Sequence, residues 1–541
     1  MRRIFTSFVL ATACLAASAK DYTGTLSVTI NNGEPATQTT TISVNEADGK
    51  YSMSLKNFRL NVGGITMKIG DIDIDNVAGV SNGQNIMLKT SQTITIKKGS
   101  EGGLGWMGPT LGKVPVNMTG EVRDDNFYTT ISIYMATLKQ NILVTFGDAC
   151  YQVPNGSFDS FHTATLIAPA YTDDPNEERD KATSDEPDNW HSFMSASGPD
   201  MLKWLAGYNP VTFKSTDVRE GAKGTSVLLR SLDMGLAVAN GTITTGRMNT
   251  GSWDATDAST NYAWSDITTT DKDDHGDPFY TKLYGRPDAM KVWVKFAQDV
   301  PDAEHPYATA TAIITDGTLF QEPAAEGVTY ANVLGEARNA KIANTEGKWT
   351  ELTIPFSYDA FTANNVKGKN VLVTFSTNAD AGKGSKGEDK HDYLYVDDMS
   401  FVYNAGLKSV ALGNDLMVKD VQSDVKEYNV TLPFDFNEAD FKPVSDGAGA
   451  YVQTAFEKSG DATKATISVT SNDLLTTNTY VVNIKKGDQS GVVTGISGVA
   501  APAAAAAGIY TIDGVRVATM SQPGLYIIKS ADGTAKKVLK K

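Results

Sequence analysis

The feature that most restricts the fold of this chain is the period of its apolar residues. From Tyr22 onward they recur at every second position in short runs. Examples are Thr23-Gly-Thr-Leu-Ser-Val-Thr-Ile, Tyr51-Ser-Met-Ser-Leu, Thr93-Ile-Thr-Ile and the stretch from Phe127 to Tyr134. A period of two turns one face of a strand to a core and the other to water, and it does not suit a helix, whose period is 3.6. Asn31-Asn32-Gly33 and Asp48-Gly49 lie between runs, and these residue types accept the positive φ of hairpin turns. Many short strands in series close into a barrel or fold into a sandwich. The expected class is all-β.

The N-terminus, Met-Arg-Arg followed by an apolar run from Ile4 to Ala17 and then Ala17-Ser18-Ala19, reads as a secretory leader over 1–19 cleaved before Lys20. The run is shorter than the roughly 20 residues of a membrane-spanning helix. Cys14, after Leu10-Ala11-Thr12-Ala13, leaves a second reading open, a lipidated start at that cysteine. Cleavage after Ala19 leaves Cys150 alone, so no intramolecular disulfide forms, and its strand-like context favours burial over nucleophilic use. The net charge is −15, and losing Arg2 and Arg3 with the leader takes it to −17. Such a surface repels phosphate backbones, which excludes nucleic acid as the expected partner.

The opening Tyr22-Thr-Gly-Thr-Leu-Ser-Val, the middle Leu55-Lys-Asn-Phe and the closing Ile142-Leu-Val-Thr-Phe-Gly resemble the calycin-like β-barrel family of surface proteins in Gram-negative gut anaerobes. The resemblance implies a barrel over 20–150, its interior either holding an apolar ligand or filled by side chains. Residues 171–189, charged and Pro-punctuated, read as an exposed linker. Residues 190–403 carry six of the seven Trp, and their long alternating strands suggest a two-sheet jelly roll. Asn189-Trp-His-Ser-Phe, Asn240-Gly-Thr-Ile-Thr-Thr-Gly-Arg247, Gly285-Arg286-Pro287 and Tyr395-Val-Asp-Asp-Met-Ser-Phe are similar to the "putative carbohydrate-metabolism domain" of the same bacteria. That resemblance implies glycans. Residues 407–486 resemble small immunoglobulin-like or cadherin-like sandwiches. A linker over 487–507 precedes 508–541, which resembles a C-terminal sorting tail. The alternative for that tail is an edge hairpin. The expected arrangement is beads on a surface-attached string.

Linear motifs for familiar chemistry are missing. Gly382-Lys-Gly-Ser-Lys-Gly matches G-x-G-x-x-G, but no helix pattern follows to meet a pyrophosphate, so it reads as a hairpin loop. The five His stand apart in sequence, without H-E-x-x-H, and no G-x-S-x-G occurs. A glycosidase carboxylate pair leaves no linear trace. Asp271-Lys-Asp-Asp-His-Gly-Asp277 begins like a calcium loop, but His275 at position five and Lys282 at position twelve are not EF-hand ligands. It reads either as a generic cation loop or as a solvated turn. Asp397 and Asp398 interrupt an apolar strand, which costs free energy unless they are paired, hydrated or bound to a cation. The jelly-roll resemblance implies a structural calcium there. Sugars stack their C–H faces on aromatic rings. Trp253, Tyr262 and Trp264 stand in a polar stretch and are the expected platform, while Trp190, Trp293 and Trp349 are expected in the core. Arg286, with Arg247, is a candidate clamp for an acidic sugar or a partner for a structural carboxylate.

The expectation is an exported outer-surface protein that binds glycan without catalysis. Its partners would be carbohydrate and, through its tail, the secretion or anchoring machinery; the sequence leaves its oligomeric state open. Two alternatives make distinct predictions. An adhesin or spacer buries Trp253 and Trp264. A glycoside hydrolase lines an aromatic groove with two acids about 5–10 Å apart.

Overall fold

The computed structural model describes residues 18–541 except 104, 137–138, 171, 173, 175–176, 236, 420, 491–493, 496–507, 512–515, 518–519, 521–523, 530–534 and 541. The leader with Cys14, most of the 487–507 linker and parts of the 508–541 tail lie outside the described residues.

The first eight strands, from Ser18–Ile30 to Gln140–Phe146, form a closed antiparallel barrel. It closes where Leu26–Ile30 pairs with Phe146–Ile142. Alternation turns Leu26, Val28, Ile42, Val44, Met53 and Leu55 inward, where they join Phe127 and Phe146 in one buried cluster. Side chains therefore fill the barrel. The strand Ile65–Ser81 runs close to Lys97 at Gly70, whose φ is +132° and whose Cβ would lie 2.1 Å from the Lys97 carbonyl oxygen. Only glycine suits that backbone.

Beyond the barrel lies a two-sheet sandwich. One sheet has the order Thr212–Ser215, Ser226–Arg230, Asp392–Val402, Ala289–Gln298, Thr350–Pro355. The other runs Thr242–Thr244, Asn370–Ser376, Ala308–Thr315, Val333–Ile342. Val292, Val294 and Phe296 from the first sheet meet Ala310, Ala312, Val373 and Phe375 from the second in one core. Trp190 is fully buried in it, as expected. Trp293 and Trp349 are only partly buried. Period two places Trp293 opposite Val292 and Val294, on the outer face of its sheet, where Arg219 lies over its ring and Lys295 over that of Trp349.

The stretch read as a linker, 171–189, is ordered strand over Lys181–Pro187, paired with Phe161–Ile167. Its inward positions are Ala182, Ser184 and Glu186, so its buried face carries almost no apolar signal. Barrel and sandwich are also not separate beads: they belong to one compact unit, which takes in Gly447–Tyr451 and Thr470–Thr477.

The second unit contains most of two four-stranded sheets. Leu407–Gly413 pairs with Lys442–Ser445 and Leu416–Val418, and Glu427–Leu432 pairs parallel with Thr477–Lys486. Val410, Leu412, Val430, Ile467 and Val482 are among its fully buried residues. At the C-terminus Gly508–Thr511, Gly524–Lys529 and Ala535–Lys540 form a further antiparallel sheet with Arg516–Val517. Among the described residues no helix is long and apolar enough to cross a membrane.

Candidate functional site

The outer face of the four-stranded sheet carries a groove of about 410 Å³. Its floor follows from strand alternation. Ala308, Ala310 and Ala312 point into the core, so Thr309 and Thr311 point out; Val373 and Phe375 point in, so Thr374 and Ser376 point out. Thr242 completes a floor of hydroxyls. Leu202 and Leu205 of the helix Asp200–Gly207, with Met234 and Val238, form apolar walls, and Trp253 and Tyr262 add aromatic rings.

Trp253 is 63% exposed. Its loop is tied down nonetheless. Asn261 Oδ1 accepts the N–H groups of Gly251 and Ser252, while Asn261 Nδ2 donates to the carbonyls of Ser252 and Asp254. Thr256 donates to Asp254, and Ser259 to Asp257, bonds that hold both carboxyls below their usual range. An exposed indole on a braced loop pays little ordering entropy when a ligand stacks on it.

The charged groups on the groove wall are Glu322 and Arg338, paired at 2.6 Å. Burial pulls the Arg338 guanidinium down, but Glu322 and Glu336 more than offset that and hold it above its usual value. Among the described residues, Glu322 is the one acid lining the groove.

The structure brings Trp253 and Tyr262 together in the groove wall, and separates them from the other aromatic and cationic candidates. Trp264 Nε1 donates to Ser197 Oγ at 3.3 Å, and this ring is not part of the wall. Arg286 stacks its guanidinium on Tyr358 at 4.5 Å, outside the groove. Arg247 pairs with Asp271 at 3.3 Å and lies over Phe279, so neither arginine is placed to clamp a ligand here. Cys150 is partly buried, and burial pushes its thiol up, away from nucleophilic use. The loop 271–277 turns its Asp273 carboxylate inward beside His162, Glu186 and His191, residues the sequence leaves far apart.

Asp398 pairs with Arg219 at 2.6 Å, and Asp397 Oδ1 accepts the Asp398 N–H. Burial and the Asp398 charge push the Asp397 carboxyl up to about 6. A carboxyl raised on folding binds its proton more tightly in the folded chain. Stability from this group is therefore greatest below its unfolded pKa near 4 and is lost as pH rises toward 6. Asp397→Asn is expected to match wild type near pH 4 and to melt higher than wild type at pH 7, read by thermal unfolding across pH. If the pair instead holds the calcium that the jelly-roll resemblance implies, Asp397→Asn melts lower than wild type in calcium.

Residues 19–149 match the Calycin-like beta-barrel domain family, in agreement with the resemblance carried by the runs from Tyr22 to Gly147. No curated protein matches the chain. Among solved structures, a "putative glycoside hydrolase" from Bacteroides vulgatus ATCC 8482 aligns at 16% identity with a TM-score of 0.28, covering 46% of this chain and 96% of that one. The M60 catalytic domain with the CBM51-1 and CBM51-2 domains of Clostridium perfringens ZmpB aligns at 10% identity with a TM-score of 0.15, covering 100% of this chain and 45% of that one. At these scores neither likeness carries an argument about this chain.

Proposed function

We propose that this chain is an exported surface protein whose sandwich groove binds a neutral saccharide without cleaving it. The observation that carries the reading is Trp253, an exposed indole on a braced loop beside a floor of Thr and Ser hydroxyls. A pyranose offers an apolar face to such a ring and hydroxyls to such a floor. Glu322 and Arg338 neutralise one another, which favours an uncharged sugar over an acidic one. Hydrolysis by a carboxylate pair needs a second acid in the groove, and the described lining supplies Glu322 alone. The spacer reading required a buried Trp253, and this ring is open to solvent.

Export is supported by the leader pattern over 1–19, and anchoring by the basic C-terminal segment. Mass spectrometry of the secreted chain tests export, with Lys20 expected as the first residue.

The binding test is a glycan array probed with the full chain, followed by calorimetry on the best neutral polysaccharide. Trp253→Ala is expected to weaken binding at least tenfold, about 1.4 kcal/mol or more. Equal affinity of variant and wild type would remove the groove from the reading, and silence across neutral glycans would remove the sugar. The walls of Leu202, Leu205, Met234 and Val238 favour one second reading, an apolar ligand. Saturable fatty-acid binding lost in Leu205→Asp, with no glycan signal, would establish it instead.

A further inference from the structure

We propose that His162, Glu186 and Asp273, with His191 beside Asp273, form a buried site for a divalent transition-metal ion of the zinc type. This inference is independent of the groove and of any sugar.

Each of these residues buries one polar atom that has no hydrogen-bond partner: His162 Nε2, Glu186 Oε2, His191 Nδ1 and Asp273 Oδ2, and the ligand atoms of His162, Glu186 and Asp273 lie within 4.8 Å of one another. The side chains are 9%, 0%, 0% and 2% exposed, so water does not serve these atoms. His162 Nε2 lies 3.8 Å from Glu186 Oε2 and 3.6 Å from Asp273 Oδ2, and His191 Nδ1 lies 3.5 Å from Asp273 Oδ2. These gaps are too long for a shared proton to make a good hydrogen bond. They are close to the edge of a tetrahedron about one zinc, roughly 3.3–3.4 Å for ligands at about 2.0–2.1 Å.

The other polar atom of every ligand is already engaged, which fixes the direction of the free one. His162 Nδ1 bonds Asp188 Oδ1 at 3.1 Å. His191 Nε2 bonds the Pro278 carbonyl at 3.2 Å; a carbonyl only accepts, so Nε2 carries the hydrogen and Nδ1 is left with its lone pair. Glu186 Oε1 accepts from the N–H and hydroxyl of Ser192. Asp273 Oδ1 accepts the N–H groups of His275, Gly276 and Asp277 at 3.0, 2.8 and 2.7 Å. Carboxylate or carbonyl partners behind each imidazole and donors behind each carboxylate are the outer contacts that orient metal ligands.

The lone pairs of His162, Glu186 and Asp273 then face one another in a buried space. Two carboxylates bring two negative charges there, and no cationic side chain answers them at those oxygens. A divalent cation neutralises that charge and satisfies these three atoms at once. An imidazole nitrogen among the ligands suits zinc over calcium or magnesium, which prefer oxygen alone. With ligand side chains at most 9% exposed the site is structural. It ties the strands Phe161–Ile167 and Lys181–Pro187 to the loop 271–277 and to the segment that carries Phe193 to the groove.

The experiment uses the full chain, purified without a metal-affinity tag, analysed by inductively coupled plasma mass spectrometry for first-row metals and calcium. About one zinc per chain is expected. Chelation should lower the melting temperature of the larger unit by about 10 °C, and added zinc chloride should restore it. Glu186→Gln and His162→Ala should lower zinc content at least tenfold, while Asp397→Asn retains it. The chelated wild type keeps the test open if a variant does not fold. Wild type that carries no first-row metal and does not respond to zinc overturns the proposal. So does zinc retained in both ligand variants, or calcium as the sole bound metal.

Discussion

Replacing Glu121 by glutamine, or Arg123 by methionine, is expected to destabilise the larger unit by roughly 3–5 kcal/mol, the cost of leaving one member of a buried ion pair without the other. By strand alternation Glu121 stands on the outer face of the barrel, since Val114, Val116 and Met118 face inward. Yet its side chain is 0% exposed and that of Arg123 is 1% exposed. Arg123 Nε donates to Glu121 Oε2 at 2.6 Å, and Tyr151 donates to the same oxygen at 3.0 Å. Glu121 Oε1 accepts from the Tyr451 hydroxyl. The remaining guanidinium N–H groups go to the carbonyls of Asp148 and Ala149 at 2.9 and 2.7 Å, and the Tyr284 ring stacks at 4.4 Å. Burial by itself pulls the Arg123 guanidinium down, but Glu121 overrides it and holds this group above its usual value. Urea unfolding monitored by tryptophan fluorescence measures the loss. A cost below about 1 kcal/mol, the value of an exposed pair, would mean that water reaches this site and that the barrel does not depend on it for docking.

Trp190→Ala is expected to cost a similar amount, about 3–5 kcal/mol, because the sandwich cannot refill the space of a fully buried indole. The ring lies 5.0 Å from Phe158 and 5.9 Å from Phe375, centroid to centroid, and its Nε1 donates to the Pro154 carbonyl at 3.2 Å. The substitution therefore opens a cavity and removes the donor to the Pro154 carbonyl. Trp253→Ala is the internal control. With that ring open to solvent, the variant should unfold within about 0.5 kcal/mol of wild type while losing ligand. Equal stability effects at the two positions would contradict the separation between a core tryptophan and a binding tryptophan.

The two tryptophans also show where sequence reading stops. Trp190 opens a domain and Trp253 stands in a stretch rich in Asn, Ser, Thr and Asp, and the structure buries the first ring and exposes the second. The same reasoning placed Trp293 and Trp349 in the core, although alternation puts Trp293 on the outer face. A tryptophan on an outer strand position looks apolar in a run and carries no mark of which way its sheet faces. Glu121 and Arg123 give the opposite case. Two charges at the end of a strand look exposed, and only later parts of the chain, Tyr151 and Tyr284 among them, cover them.

The three proposed metal ligands were hidden for a related reason. His162, Glu186 and Asp273 share no fixed spacing, unlike a helical H-E-x-x-H. The acidic loop 271–277 did stand out, but through its calcium-like opening and not through the one carboxylate that turns inward. The strand that carries Glu186 was read as linker because its buried positions are Ala, Ser and Glu.

By itself the sequence determined what depends on neighbours along the chain: strand period, hairpin turns and the all-β class, since side-chain alternation and turn dihedrals are local properties of the backbone; the calycin-like barrel rested on the resemblance of the runs at Tyr22, Leu55 and Ile142. Only the tertiary structure decided which outward faces stay open and which are covered, and which distant side chains converge. Those outcomes depend on strand register and sheet packing between segments up to a hundred or more residues apart, as His162 and Asp273 are. Each added residue of register shift would turn such a side chain to the other face.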